Sequence, residues 1–160
     1  MKRLYLLSLL ALCCMATLAE DERVFFVSRN LNKNIIVYDI QQKDGRLDMK
    51  HPLHVYWYNQ EFNPVTTNEL NYIQRKLAYG YNVVKRGSNE VTVKLKAYKK
   101  RLLRVYRHEG RWVGTTTING QECILTEIYA HCPTKTSCDY MELRGKRLNG
   151  GKAEREIVKD

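Results

Sequence analysis

The chain has 160 residues, 27 Lys and Arg against 17 Asp and Glu, a net charge of +10 and five cysteines. That length suits one ordinary domain large enough to bury its own core. The positive balance favours anionic partners, and no apolar run after the N-terminus is long enough to cross a bilayer as a helix.

Residues 1–19 read MKRLYLLSLLALCCMATLA. Lys2 and Arg3 precede the apolar stretch Leu4 to Leu12, and small residues lead to Ala19 before the acidic Glu20-Asp21-Glu22. This is the three-part layout of a secretory signal peptide, with an apolar core too short to span a membrane. The expected organisation is a signal over 1–19 and a single β-rich domain over 20–160. A lipoprotein signal using Cys13 or Cys14 is the weaker reading, because Leu12 and Cys13 stand where a small residue is usual. Removal of residues 1–19 leaves 25 basic and 17 acidic side chains, a balance of +8. In an exported protein that charge points to envelope polymers, acidic glycans or lipid head groups rather than to nucleic acid. The expected location is the periplasm or cell envelope.

After the signal, two-residue periodicity dominates. Val24 to Arg29 and Ile35 to Ile40 are β-branched and aromatic runs, separated by a turn at Asn30, Asn32 and Asn34. Asp44-Gly45 marks the next turn. Leu53, Val55 and Trp57 then alternate with His54, Tyr56 and Tyr58, which predicts a strand with one face in the core. Thr66 with Glu69 has the spacing of a capping box, followed by Leu70, Ile73 and Leu77 at helical spacing. Arg75 and Lys76 suit a last turn, and Gly80 suits a left-handed stop. A helix is predicted over Thr67 to Tyr79.

The second half reads as a meander. Asn89 to Ala97, Arg101 to His108, Arg111 to Ile118, Gln121 to Cys132, Cys138 to Arg147 and Lys152 to Lys159 are strand-like. Glu109-Gly110, Asn119-Gly120 and Asn149-Gly150-Gly151 supply hairpin turns. The pattern gives about nine or ten strands and one helix. It predicts a mainly β fold, an antiparallel meander rolled into a closed or nearly closed barrel with one α-helix. A two-layer sandwich is the alternative.

Two segments carry a resemblance: HPLHVYWY from His51 to Tyr58, and LNYIQRKLAYG from Leu70 to Gly80. With Phe25 to Asn30, Val37 to Asp39 and the Gly45 to Asp48 turn, they resemble a bacterial envelope family known as domain of unknown function 4833. The resemblance runs over residues 24–130. It implies an exported single domain and carries no activity, cofactor or catalytic residue.

Three constellations are candidates for chemistry. His54, Tyr56 and Tyr58 share a strand face, with Gln74, Arg75, Tyr79 and Tyr81 near one end of the same sheet. Aromatic faces with hydroxyl handles suit sugars and partner surfaces, and equally suit the cover of a sheet. Lys94, Lys96, Lys99, Lys100, Arg101 and Arg104 crowd a hairpin that could hold anionic polymers or lipid phosphates, or simply guard an exposed edge. Cys123, Glu127 and His131 have the residue types of a thiol nucleophile site, but eight residues of strand hold Cys123 and His131 about 26 Å apart. They are therefore read as packing.

Cys132 and Cys138 bracket the turn-rich Pro133 to Ser137 and are expected to form a disulfide, leaving Cys123 as a buried thiol. The expected site is free of metal and cofactor, since no CxxC, HExxH, calcium loop or phosphate loop occurs. The reading is an exported, non-enzymatic binding module for an anionic or glycan-like envelope ligand or a partner protein. The alternatives are an envelope hydrolase of polysaccharide or lipid, and a structural subunit pairing through its edge strands.

Overall fold

The computed structural model describes residues 22–135 and 137–159. The expected signal peptide, including Cys13 and Cys14, lies outside them. The first half of the chain forms β1 (Arg23–Arg29), β2 (Asn32–Ile40), β3 (Gln42–Lys43), β4 (Arg46–Leu47), β5 (Leu53–Asn59) and β6 (Thr66–Glu69). A five-residue π-helical segment, Gln74–Ala78, precedes β7 (Tyr81–Arg86). Then come β8 (Val91–Leu95), β9 (Leu103–His108), β10 (Arg111–Ile118), β11 (Gln121–His131), β12 (Tyr140–Arg147) and β13 (Ala153–Val158).

The fold is mainly β, as the periodicity predicts. Eleven strands make one sheet, and β3 and β4 form a separate small hairpin. Three hairpin turns place both central residues at positive φ: Asp44-Gly45 (53° and 73°), Glu109-Gly110 (48° and 81°) and Asn119-Gly120 (50° and 74°). That backbone matches the right-handed twist of the flanking strands.

β11 is the hub. Its first half pairs antiparallel with β10, and Phe26 to Arg29 of β1 run parallel to Glu127 to Ala130 in its second half. β12 lies antiparallel along β11 from Cys123 to His131 and carries β13. Two wings leave the hub, β1-β2-β5-β6 and β10-β9-β8-β7. The parallel β1–β11 pair departs from the expected antiparallel meander, because the first strand returns to a hairpin nearly a hundred residues later.

The wings curl toward each other over one core. Phe25 stacks on Tyr38 with ring centroids 4.2 Å apart, and Ile36, Val55, Val93, Val105, Leu125, Ile128 and Leu143 fill the inner face. The result is a half-barrel that stays open. Between β6 and β7 the chain forms the helical segment instead of another paired strand, so β6 and β7 remain unjoined edges.

That segment corrects the helix expectation. Thr66 and Glu69 pair with Asn59 and Tyr56 as part of β6. The reciprocal cap forms five residues later: Asn71 Oδ1 accepts the Gln74 N–H at 2.9 Å, and Gln74 Oε1 accepts the Asn71 N–H at 3.1 Å. Leu70 is buried, whereas Ile73 and Leu77 are 65% and 66% exposed, so the anticipated apolar stripe does not face the core. Tyr79 N–H donates to Gln74 O, the wide π-type bond that closes the turn. Gly80 follows because a Cβ there would collide with the Arg75 carbonyl oxygen. Among the described residues no helix is long and apolar enough to cross a membrane.

Candidate functional site

The gap between the wings forms a cleft of about 710 Å³. Leu53, His54 and Val55 of β5 line one wall, and Tyr81, Asn82, Val83 and Arg86 of β7 line the other. Gln41, Lys50, His51, Arg75 and Gly80 complete it. No backbone ladder joins the walls. The Tyr81 hydroxyl bridges them instead, donating to Leu53 O at 2.8 Å and accepting from Leu53 N–H at 3.0 Å. Arg86 Nε adds a second strut, donating to Met49 O at 2.9 Å. Burial pushes the Tyr81 phenol pKa up, which keeps the donor proton in place.

The cleft is electropositive. Lys50, His51, His54, Arg75 and Arg86 line it, and no carboxylate does. Two of these have a nearby counter-charge. Glu69 accepts from Arg75 Nη2 at 3.2 Å and lies 2.6 Å from His54 Nε2, and these contacts, His54 foremost, hold its pKa below the ordinary value. Lys50 and Arg86 make no ion pair among the described residues. The Lys50-His51 loop is fixed from behind by Asp48, whose Oδ1 accepts Lys50 N–H at 2.8 Å and His51 N–H at 3.0 Å. These backbone bonds, His51's first, hold the Asp48 carboxyl below its usual range.

The structure divides the aromatic candidates. His54, Arg75 and Tyr81 meet in the cleft. Tyr56 and Tyr58 stand on the outer face opposite Val37 and Ile35, which are 0% and 8% exposed. They therefore cover apolar side chains. Tyr56 also donates to Asp39 Oδ2 at 2.7 Å, and burial and that carboxylate push its pKa up to about 12. Tyr58 lies beneath the Arg23 guanidinium, 5.8 Å from ring centroid to Cζ. Gln74 and Tyr79 are occupied on the inner side. Trp57 Nε1 donates to Gln74 Oε1 at 3.3 Å, and the Tyr79 ring meets Trp57 edge-on at 5.4 Å.

The basic hairpin is also divided. Arg101 forms a two-pronged pair with Glu156, and Arg104 bonds Glu90 while stacking over Tyr106 at 4.6 Å. Lys100 Nζ donates to Lys159 O at 2.7 Å. Lys94, Lys96 and Lys99 carry no ion pair among the described residues, yet line none of the concavities described for the molecule. Of the six cations, the two arginines are already matched by internal acids.

Cys132 and Cys138 lie at disulfide distance, 2.04 Å between sulfurs, and Cys123 is a buried free thiol whose pKa burial pushes up. The Cys123, Glu127 and His131 set is not on one face. A register shift between Leu125 and Glu127 puts Cys123, Leu125, Ile128 and Ala130 inside. Glu127 instead bonds Ser28 and Arg144.

The cleft residues absent from the sequence candidates are Gln41, Lys50, His51, Asn82 and Arg86. β7 carries two of them, and its short alternation was not read as a strand. Asp48 two and three residues before Lys50 and His51 was the available signal for a fixed loop.

The family model for a domain of unknown function, DUF4833, matches residues 25–156. No curated protein and no solved structure matches the chain. The matched span includes every strand wall of the cleft and both cysteines of the disulfide, and the chain belongs to the DUF4833 family.

Proposed function

We propose that the protein is an exported, non-enzymatic binding module that takes an acidic glycan in the seam between β5 and β7. The observation that carries this reading is a cleft lined by Lys50, Arg75 and Arg86, with His51 and His54 beside them, and no carboxylate. Lys50 and Arg86, lacking internal acids, would meet the ligand's anionic groups. Gln41 and Asn82 would meet its hydroxyls. Its volume lies within the roughly 300–1,000 Å³ of small-molecule sites. A signal over residues 1–19 would send one domain from residue 20 to an oxidising compartment, where a Cys132–Cys138 bridge is stable.

The test is titration with a galacturonate tetramer and its neutral galactose counterpart. The acid should bind with salt-dependent affinity and the neutral sugar weakly. Lys50→Glu combined with Arg86→Glu should weaken acid binding at least tenfold, about 1.4 kcal/mol. Lys94→Glu with Lys99→Glu should leave it unchanged. Equal binding of both sugars, or indifference to the cleft reversal, would refute the reading.

A further inference from the structure

A second concavity shares no lining residue with the seam, and its chemistry differs. It encloses about 310 Å³. Its walls are the inner faces of β1 and β11 and the chain after β8, with Val27, Ile128, Ala130 and Met141 among the apolar groups. Leu77 of the helical segment stands at its rim, 66% exposed, and the Cys132–Cys138 bridge borders it.

Arg29 lines this apolar space in an unusual state. Arg29 Nη1 donates to the Tyr79 hydroxyl at 3.0 Å, and Nη2 donates to Lys135 O at 3.3 Å. Both acceptors are neutral. Arg29 makes no ion pair among the described residues, and its Nε is buried with no hydrogen-bond partner. A partly buried guanidinium without a counter-ion is costly, and removing an anion from such a group leaves an uncompensated charge. Each Nη also carries a second N–H, so the guanidinium keeps donors for a carboxylate. Lys135 adds a second cation at the rim, and no acidic residue lines the cavity.

We propose that this concavity binds a medium-chain amphiphile with a carboxylate-type head, Arg29 holding the head and the apolar cavity the tail. At about 30 Å³ per water-sized group, the space holds about ten such groups. That suits an acyl chain of medium length and excludes a bilayer phospholipid with two long chains. The head neutralises Arg29 while the tail covers Leu77 and the inner face of β11.

The test is calorimetric titration of the full chain, below micellar concentration, with decanoate, decanol, decyltrimethylammonium and acetate. Decanoate should bind at least tenfold tighter than decanol, and the other two should give no measurable binding. Arg29→Met should lower decanoate to the level of decanol, Arg29→Lys should retain part of the difference, and Ala97→Trp should abolish both. Lys50→Glu with Arg86→Glu should leave decanoate binding intact, which separates this site from the seam. Should Arg29→Met fail to fold, methyl NMR of the unaltered protein decides, with decanoate shifting Leu77, Ile128 and Met141. Decanoate binding no tighter than decanol, unchanged binding in Arg29→Met, or shifts confined elsewhere would overturn the proposal.

Discussion

Tyr81 shows how one side chain can stand in for a strand. β6 pairs with β5 only from Tyr56 to Asn59, so the backbone groups of Leu53 need another partner. The phenol satisfies both its N–H and its C=O. Tyr81→Phe keeps the ring and strips those bonds, and should cost about 1–3 kcal/mol. Urea denaturation reads this directly, and an unchanged midpoint would contradict the role. Gly80 is as constrained for a different reason. Its alanine variant must displace the Arg75 carbonyl, so it should destabilise by about 2 kcal/mol or more and weaken seam binding as Arg75 moves. Among the described residues, Glu142 is the most buried of the carboxyls that acid would reach. Its side chain is 2% exposed between Arg144 and Arg155. Burial alone would raise its pKa, but the two guanidiniums overcome this and hold it below the ordinary value. A depressed carboxyl contributes stability above its unfolded pKa, near 4.3, and loses it as pH falls through the folded value. Glu142→Gln should therefore flatten the loss of stability below about pH 4.3. An acid limb as steep as that of the unaltered protein would remove Glu142 from the account.

At the scale of elements, the sequence reading succeeded where the signal was local and failed where two local signals competed. Asp44-Gly45, Glu109-Gly110 and Asn119-Gly120 announce their hairpins because few residue pairs accept positive φ at both positions. The helix start was misplaced because Thr66…Glu69 and Asn71…Gln74 both have capping spacing. Only tertiary pairing decides between them, and β6 is drawn into the ladder beside β5. Asn71→Ala should therefore cost about 1 kcal/mol, and Thr66→Ala should stay within about 0.5 kcal/mol. Comparable losses at both positions would return the cap to Thr66. The shift before Glu127 was equally hidden, since strict alternation carries no mark of an extra residue. It separates Cys123 from Glu127 and His131. The Cys132–Cys138 spacing was legible, and the denatured chain lacking residues 1–19 should show one free thiol without reductant and three with it. Three free thiols from the start would exclude the bridge.

For the whole molecule, strand content and the mainly β class were readable from period alone, but the curl was not. Closure depends on which strands meet across the two wings, and that is set by the β1–β11 parallel pair and by the helical segment between β6 and β7. The parallel pair joins residues about a hundred positions apart, and the helical segment links the two far ends of the sheet. The same topology explains why the candidate site was only partly legible. His54, Arg75 and Tyr81 were named from composition and spacing, whereas Lys50 and Arg86 join them only because the wings approach. The charge total pointed to an anionic partner, and the proposed contact lies at the seam rather than on the crowded hairpin. On the hairpin, Arg101 and Arg104 are already matched by Glu156 and Glu90. Amide NMR with the galacturonate tetramer tests this most directly. Binding at the seam should shift Lys50 to Val55 and Tyr81 to Arg86 and leave Lys94 to Arg104 unmoved. Shifts centred on Lys94 to Arg104, or no shifts at the seam, would contradict it.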